Sequence, residues 1–276
     1  MNKTIVTHFS PDQDAASSVW LIHRFLKGWS TADVAFVHAG TTLNNEDPDS
    51  DENIIHVDTG LGKFDHHQTS DETCAAELVF KHLVKEKLLD KETQQALERM
   101  VTVICDEDHF KEIYRFEPDS DLYDFMPSAI RNGAHSIFES DHQIVEFLER
   151  IFDCILQAMI YKIRAEKELV KGFEYETAWG KTLAIETDNR ETSSLAQKKG
   201  FNMVISKSKN GQVRIKTRPD VQKDLQDIYD MVLKKDPTAT WFYHVSGHML
   251  LNGSSKNPDM VPSKLTLKEL IGMTRI

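Results

Sequence analysis

At 276 residues the chain exceeds one typical domain and can bury two modest cores. Its 40% hydrophobic and 28% charged residues place it among globular proteins, and it has no apolar run of about 18 residues or more to cross a bilayer. The N-terminus turns polar within a few residues, too soon for a signal peptide, so a cytoplasmic protein with no membrane partner is expected. The net charge of −11 is uneven: residues 1–172 hold 17 Lys and Arg against 32 Asp and Glu, whereas 173–276 hold 16 against 12. An acidic part suited to divalent cations therefore precedes a mildly basic part suited to an anion.

In chain order, the β-branched run Thr4–His8 reads as a strand, a Ser-Pro-Asp loop follows, and Ala15–Leu26 has helical spacing. Further strands are expected at Val34–Val37 and Ile54–Asp58, separated by a polar loop over 39–53 and closed by Thr59-Gly60. Residues 75–89 and 91–104 read as helices. Residues 115–140 lack a clear period and read as a long loop or short-helix excursion, and 141–171 carries one long helical pattern. From Lys181 the pattern becomes strand (182–186), helix (191–199), strand (201–206), an Asn210-Gly211 hairpin turn, strand (212–217) and helix (221–234). An aromatic strand from Trp241 to Val245 runs into Ser246-Gly247-His248. Cys74, Cys105 and Cys154 are odd in number and lack CxxC spacing, so core thiols are expected rather than a disulfide or a zinc knuckle.

The expected fold is α/β. A mostly parallel N-terminal sheet flanked by helices occupies 1–140, a connecting helix 141–172, and a smaller C-terminal α/β domain, across a cleft, 173–276. In parallel sheets ligands gather at the carboxyl ends of strands, which is where His8 and Asp58 fall.

Three groups carry chemistry. In His8-Phe-Ser-Pro-Asp12-Gln-Asp14 one imidazole and two carboxylates share a single loop. Such ligands suit Mn²⁺, Mg²⁺, Fe or Co, although Asp before a helix also serves as an N-cap. Asp58 ends a strand and is followed by Asp65-His66-His67. Asp106-Glu107-Asp108-His109 then offers a further carboxylate, and which of its residues points inward is left open by the spacing.

The succession HxxPDxD, strand-end Asp, DHH and a later Asp resembles the DHH phosphoesterase family. The resemblance implies one ion on His8, Asp12 and Asp58, and a second on Asp14, Asp58, His66 and Asp106, with Asp58 as the bridge. His67 then sits near the phosphate as ligand or proton donor, so His67 and Asp58 are the implied catalytic residues, and Asp65 orients from behind. In the C-terminal part, Arg218 at a strand end and Gly247-His248 look like the substrate-binding pattern of the DHH-associated domain. Ser246 stands where that family has glycine, and Pro219 where serine is common.

The resemblance implies hydrolysis of phosphodiester or phosphomonoester bonds in short oligonucleotides or nucleotides, including exonuclease action, with two divalent cations. Mn²⁺ is the favoured ion, and Mg²⁺ or Co²⁺ are alternatives. The implied partners are a phosphate-containing small molecule or a short single-stranded oligonucleotide, with a homodimer as one oligomeric state. An inorganic pyrophosphatase and a non-catalytic nucleotide- or metal-binding regulator are the alternatives. Segments 115–140 and 254–264 are candidate substrate lids or plain surface excursions.

Overall fold

Nine strands and eight α-helices are found among the described residues, which in this computed structural model are 3–253, 256–257 and 259–275. Of the segment 254–264, read as a lid or a plain surface excursion, residues 254, 255 and 258 lie outside them. The chain divides into two compact units, Met1–Ile160 and Tyr161–Ile276.

In the first unit β1 (Thr4–His8) is the centre of a three-stranded sheet and pairs in parallel with β2 (Asp33–Val37) and β3 (Ile54–His56), in the order β2-β1-β3. Ile5 and Val6 are fully buried, as a central parallel strand requires. Helix α1 (Gln13–Phe25) is capped by Asp12, whose carboxylate accepts from the Ala15 N–H at 2.9 Å. Its residues Asp14–Ile22 are all buried, so this helix lies inside the unit rather than on its surface.

Helices α2 (Ala75–Lys85) and α3 (Lys91–Asp108) follow, the second capped by Asp90. Two 3-10 turns, Lys111–Tyr114 and Tyr123–Phe125, and α4 (Pro127–Ala134) make up the excursion. Helix α5 (Asp141–Leu169) has 29 residues and runs through the division between units. Its Phe152 ring lies 5.5 Å from that of Trp20 on α1, between centroids.

Two expectations about cysteine fail. Cys74, at the cap of α2, and Cys105, on α3, are paired as a disulfide with Cα atoms 5.4 Å apart, and Cys154 is exposed on α5. The sequence offers no spacing signal for the pair, because 31 residues separate two cysteines that only the packing of α2 against α3 brings together.

The second unit carries a six-stranded sheet in the order β4-β5-β6-β7-β9-β8, with β4 Phe173–Thr177, β5 Gly180–Glu186, β6 Met203–Lys207, β7 Val213–Thr217, β8 Trp241–Tyr243 and β9 Met249–Asn252. Only β5 and β6 pair in parallel, joined through α6 (Glu191–Lys198). The Asn210-Gly211 turn forms as expected, with Gly211 at φ +80° between antiparallel β6 and β7. One core contains Met203, Ile205, Ile215 and Leu250 with residues of α7 (Gln226–Lys235) and α8 (Leu267–Met273). A second joins Leu183, Ile185 and Val204 to Ala196 of α6 and Leu169 of α5. No helix among the described residues is long and apolar enough to cross a membrane.

Candidate metal centre

The carboxyl ends of β1 and β3 and the N-termini of α1 and α2 meet at one point. His8 ends β1, and its Nε2 lies 3.2 Å from Asp58 Oδ2. Asp58 follows β3 at φ +54°, a left-handed conformation that costs a non-glycine residue energy and that aspartate tolerates better than most. That backbone twist directs a 3%-exposed carboxylate back into the cluster. Its other oxygen, Oδ1, is 3.4 Å from His66 Nε2. The two oxygens of Asp58 thus face two different histidines.

Asp14 lies under this arrangement. Its Oδ2 and Oδ1 accept the N–H groups of Ala75 and Ala76 at 2.7 and 2.8 Å, so it caps α2 from another helix. Asp65, 1% exposed, accepts from the Leu61 N–H at 2.7 Å, the His67 N–H at 3.0 Å and His67 Nδ1 at 2.7 Å. This fixes the orientation of the His67 ring while its side chain stays 59% exposed.

Three groups of ligand atoms, each with its members within 4.8 Å of one another, can hold a metal: His8, Asp12 and Asp58; Asp14, His66 and Asp108; and Asp58, His66 and His67. Asp106, expected on the second ion, is not among them. Its side chain is 47% exposed and lies 3.5 Å from Lys111 Nζ, whereas Asp108 Oδ2 is 3.6 Å from His66 Nε2. Helical phase is the reason. Leu97, Val101 and Ile104 form the buried stripe of α3, and Asp108 continues it at the next i+4 step, while Asp106 is turned roughly 200° away.

Burial works against charge on His8, but hydrogen bonds to Asp58 and to the Phe9 carbonyl outweigh it and raise this imidazole to about 9. His66 is raised to about 9 by its contact with Asp58, against burial, with help from Asp108 and Asp14. Burial and then the Asp58 charge push Asp14 well above the usual carboxylate range, and burial raises Asp108. Burial likewise opposes the charge of Asp58, yet His66 and His8 hold it below its ordinary value.

Two buried polar atoms, Asp58 Oδ1 and His66 Nε2, have no hydrogen-bond partner. Unsatisfied buried groups are costly, and two of them facing each other inside an acidic cluster fit a cation held between them. The oxygen and imidazole donors suit a hard or borderline divalent ion.

Arg131 of α4 was not singled out from the sequence. Its Nε donates to the Pro11 carbonyl at 2.9 Å and its Nη2 to the Ser10 carbonyl at 2.6 Å, while the Ser10 N–H donates to Asp141 Oδ2 at 2.9 Å. Ser10 is at φ +53°, so the loop between His8 and Asp12 is strained and clamped at the point of strain.

In the second unit the Thr217 Oγ1–His248 Nδ1 contact is 2.8 Å, which brings His248 to the end of β7 where Arg218 follows. Arg218 grips Asp220 through Nε at 2.9 Å and Nη2 at 2.6 Å. Gly247 is at φ +74°, and a Cβ there would meet Asp224 Cβ at 2.9 Å, so its glycine serves the local fold.

No protein-family model matches the chain, and no curated protein matches it. Among solved structures it is similar to an uncharacterised protein from Helicobacter pylori G27, at 12% identity over 100% of this chain and 99% of that one, with a TM-score of 0.29. It is also similar to the DHH domain of a member of the S1p family of ribosomal proteins, at 11% identity over 99% and 85% of the two chains and a TM-score of 0.32. A third similar structure is RecJ in complex with Mg²⁺ from Thermus thermophilus, at 11% identity, 99% and 49% coverage and a TM-score of 0.35.

Proposed function

We propose that this protein is a metal-dependent phosphoesterase that hydrolyses short oligonucleotides or nucleotides at a site for two divalent cations, Mn²⁺ foremost. The observation that carries this reading is Asp58, a buried carboxylate whose two oxygens face His8 and His66, each in a different cluster of metal-binding side chains. A carboxylate so placed is suited to bridge two ions. His8 and Asp12 would hold one, and Asp14, His66 and Asp108 the other. Bound divalent cations supply Lewis acidity, which acidifies water and offsets the charge that develops on a phosphoryl group.

The chain's own groups do the rest. Asp65 holds His67 through Nδ1, leaving Nε2 on an exposed ring as the atom that meets the substrate phosphate. Arg218 and His248 are assigned to substrate phosphate. Asp220 is 62% exposed beside half-buried Arg218, so exchanging its carboxylate for a phosphate costs little.

The test is product release by metal-stripped protein resupplied with Mn²⁺, Mg²⁺ or Zn²⁺, with pyrophosphate, phosphonucleotides, cyclic dinucleotides and short oligonucleotides as substrates. Metal-dependent turnover of the nucleotides, abolished in folded Asp58→Ala, is expected. Turnover of pyrophosphate alone would make it a pyrophosphatase, and silence with tight nucleotide binding would make it a regulator.

A further inference from the structure

The second unit contains a cavity of about 300 Å³ between the start of α6 and the β6–β7 hairpin. We propose that this cavity is a binding site for a phosphoryl group, separate from the metal ligands, and that Arg214 is its principal contact. Strand β7 alternates: Val213, Ile215 and Thr217 are buried, while Arg214, Lys216 and Arg218 lie half-buried on the opposite face. Arg214 opposes Ser206 in the register of β6 and β7 and lines the cavity with it, together with Arg190, Ser193 and Ser208.

Three observations point to an anion. First, no carboxylate among the described residues is in ion-pair contact with Arg214, although its guanidinium is half-buried. The one carboxylate on the cavity wall, Asp188, accepts the Lys209 N–H through Oδ1 at 3.1 Å. Second, like charges crowd the site. Burial and then the charge of Arg190 lower the Arg214 guanidinium, and burial and then Arg214 lower the Lys216 ammonium. A half-buried guanidinium with no carboxylate partner is costly, and an anion entering the cavity offsets the charge of Arg214.

Third, the rest of the wall is largely polar and uncharged, with serine hydroxyls beside the side-chain amides of Asn189, Asn210 and Gln212. Ser193 Oγ donates to Ser206 Oγ at 3.2 Å, and the two residues are 4% and 9% exposed. Ser206 Oγ in turn donates to the Arg214 carbonyl at 3.4 Å, so the guanidinium fork and the wall amides are the groups left to meet the several oxygens of a phosphoryl group. The volume stands at the lower end of small-molecule sites, roughly 300–1,000 Å³, and admits a phosphate ester of nucleotide size as well as the bare anion.

The experiment is calorimetric titration of the full-length, metal-stripped protein with adenosine monophosphate and, separately, inorganic phosphate. Saturable binding is expected, retained in Asp58→Ala, weakened at least about tenfold in Arg214→Gln and less in Ser193→Ala. Tighter binding of the nucleotide identifies an ester as the ligand, and equal binding identifies the free anion. Unchanged affinity in Arg214→Gln, loss of binding in Asp58→Ala, or no binding of either probe at millimolar concentration would each overturn the assignment. Thermal unfolding of Arg214→Gln without ligand shows that the variant is folded, and Ser193→Ala probes the same wall without altering charge.

Discussion

Asp106 and Asp108 are chemically identical and two residues apart, yet α3 gives one of them to solvent and Lys111 and the other to His66. Asp108→Asn is therefore expected to weaken metal binding by about tenfold or more, while Asp106→Asn leaves it unchanged. Titration of each stripped variant with Mn²⁺ decides this, and the reverse order would remove Asp108 from the centre. The spacing of Asp106-Glu107-Asp108 leaves the inward residue open, and the buried stripe Leu97–Val101–Ile104 of the folded helix sets position 108 on the cluster side through its period.

Arg131 was not legible. It lies in a stretch without motif, and its value comes only from where α4 sets it against the carbonyls of Ser10 and Pro11. In Arg131→Gln the strained loop loses its clamp, and metal affinity should fall about tenfold while the metal-free unfolding temperature changes little. Unaltered affinity by the same titration would show that the loop holds its shape alone.

At the scale of elements, α2 begins where the site needs an anchor. Its first two N–H groups bind Asp14, and its cap residue Cys74 is bonded to Cys105 on α3, three residues before Asp108. The disulfide closes a loop of 31 residues, for which chain entropy gives at most about 3–4 kcal/mol. Cys105→Ser, or reductant added to the native protein, should lower the unfolding temperature by several degrees, measured by calorimetry with and without reductant. An identical temperature in both would show that the bond contributes nothing to stability. Helix starts at Asp12 and Asp90 were readable because capping is local. Strand β4 went unread although Phe173-Glu174-Tyr175-Glu176-Thr177 alternates aromatic and acidic residues along a largely exposed edge, and β9 escaped notice beside the His248 motif.

Across the whole molecule, the acidic first part and the raised histidines make stability depend on pH. His8 and His66 bind protons more tightly in the folded state, at about 9, than their ordinary 6.5. Their contribution is complete below pH 6.5 and is lost as pH rises through about 9, so the metal-free unfolding temperature should fall over that window. Raised Asp14 and Asp108 act in the same direction as pH rises above the ordinary carboxylate range, since ionising them in the fold is unfavourable. A divalent cation held by these imidazoles would compete with those protons. Metal affinity should therefore rise from pH 6.5 to 9, and the gain in unfolding temperature on adding Mn²⁺ should grow with it. A metal increment that is flat or shrinks with pH would place the cation away from these imidazoles.

By itself the sequence determined what is local: the strand ends that carry His8 and Asp58, the loop holding Asp12 and Asp14, the DHH triplet, the Asn210-Gly211 turn and the division into an acidic and a basic part. Tertiary structure alone decided that Cys74 meets Cys105, that Arg131 clamps the Ser10 loop and that Arg218 is held by Asp220. The reason is physical: capping, turn geometry and periodicity act within a few residues, whereas these pairings depend on the packing of elements or on the rotamer chosen within a folded loop.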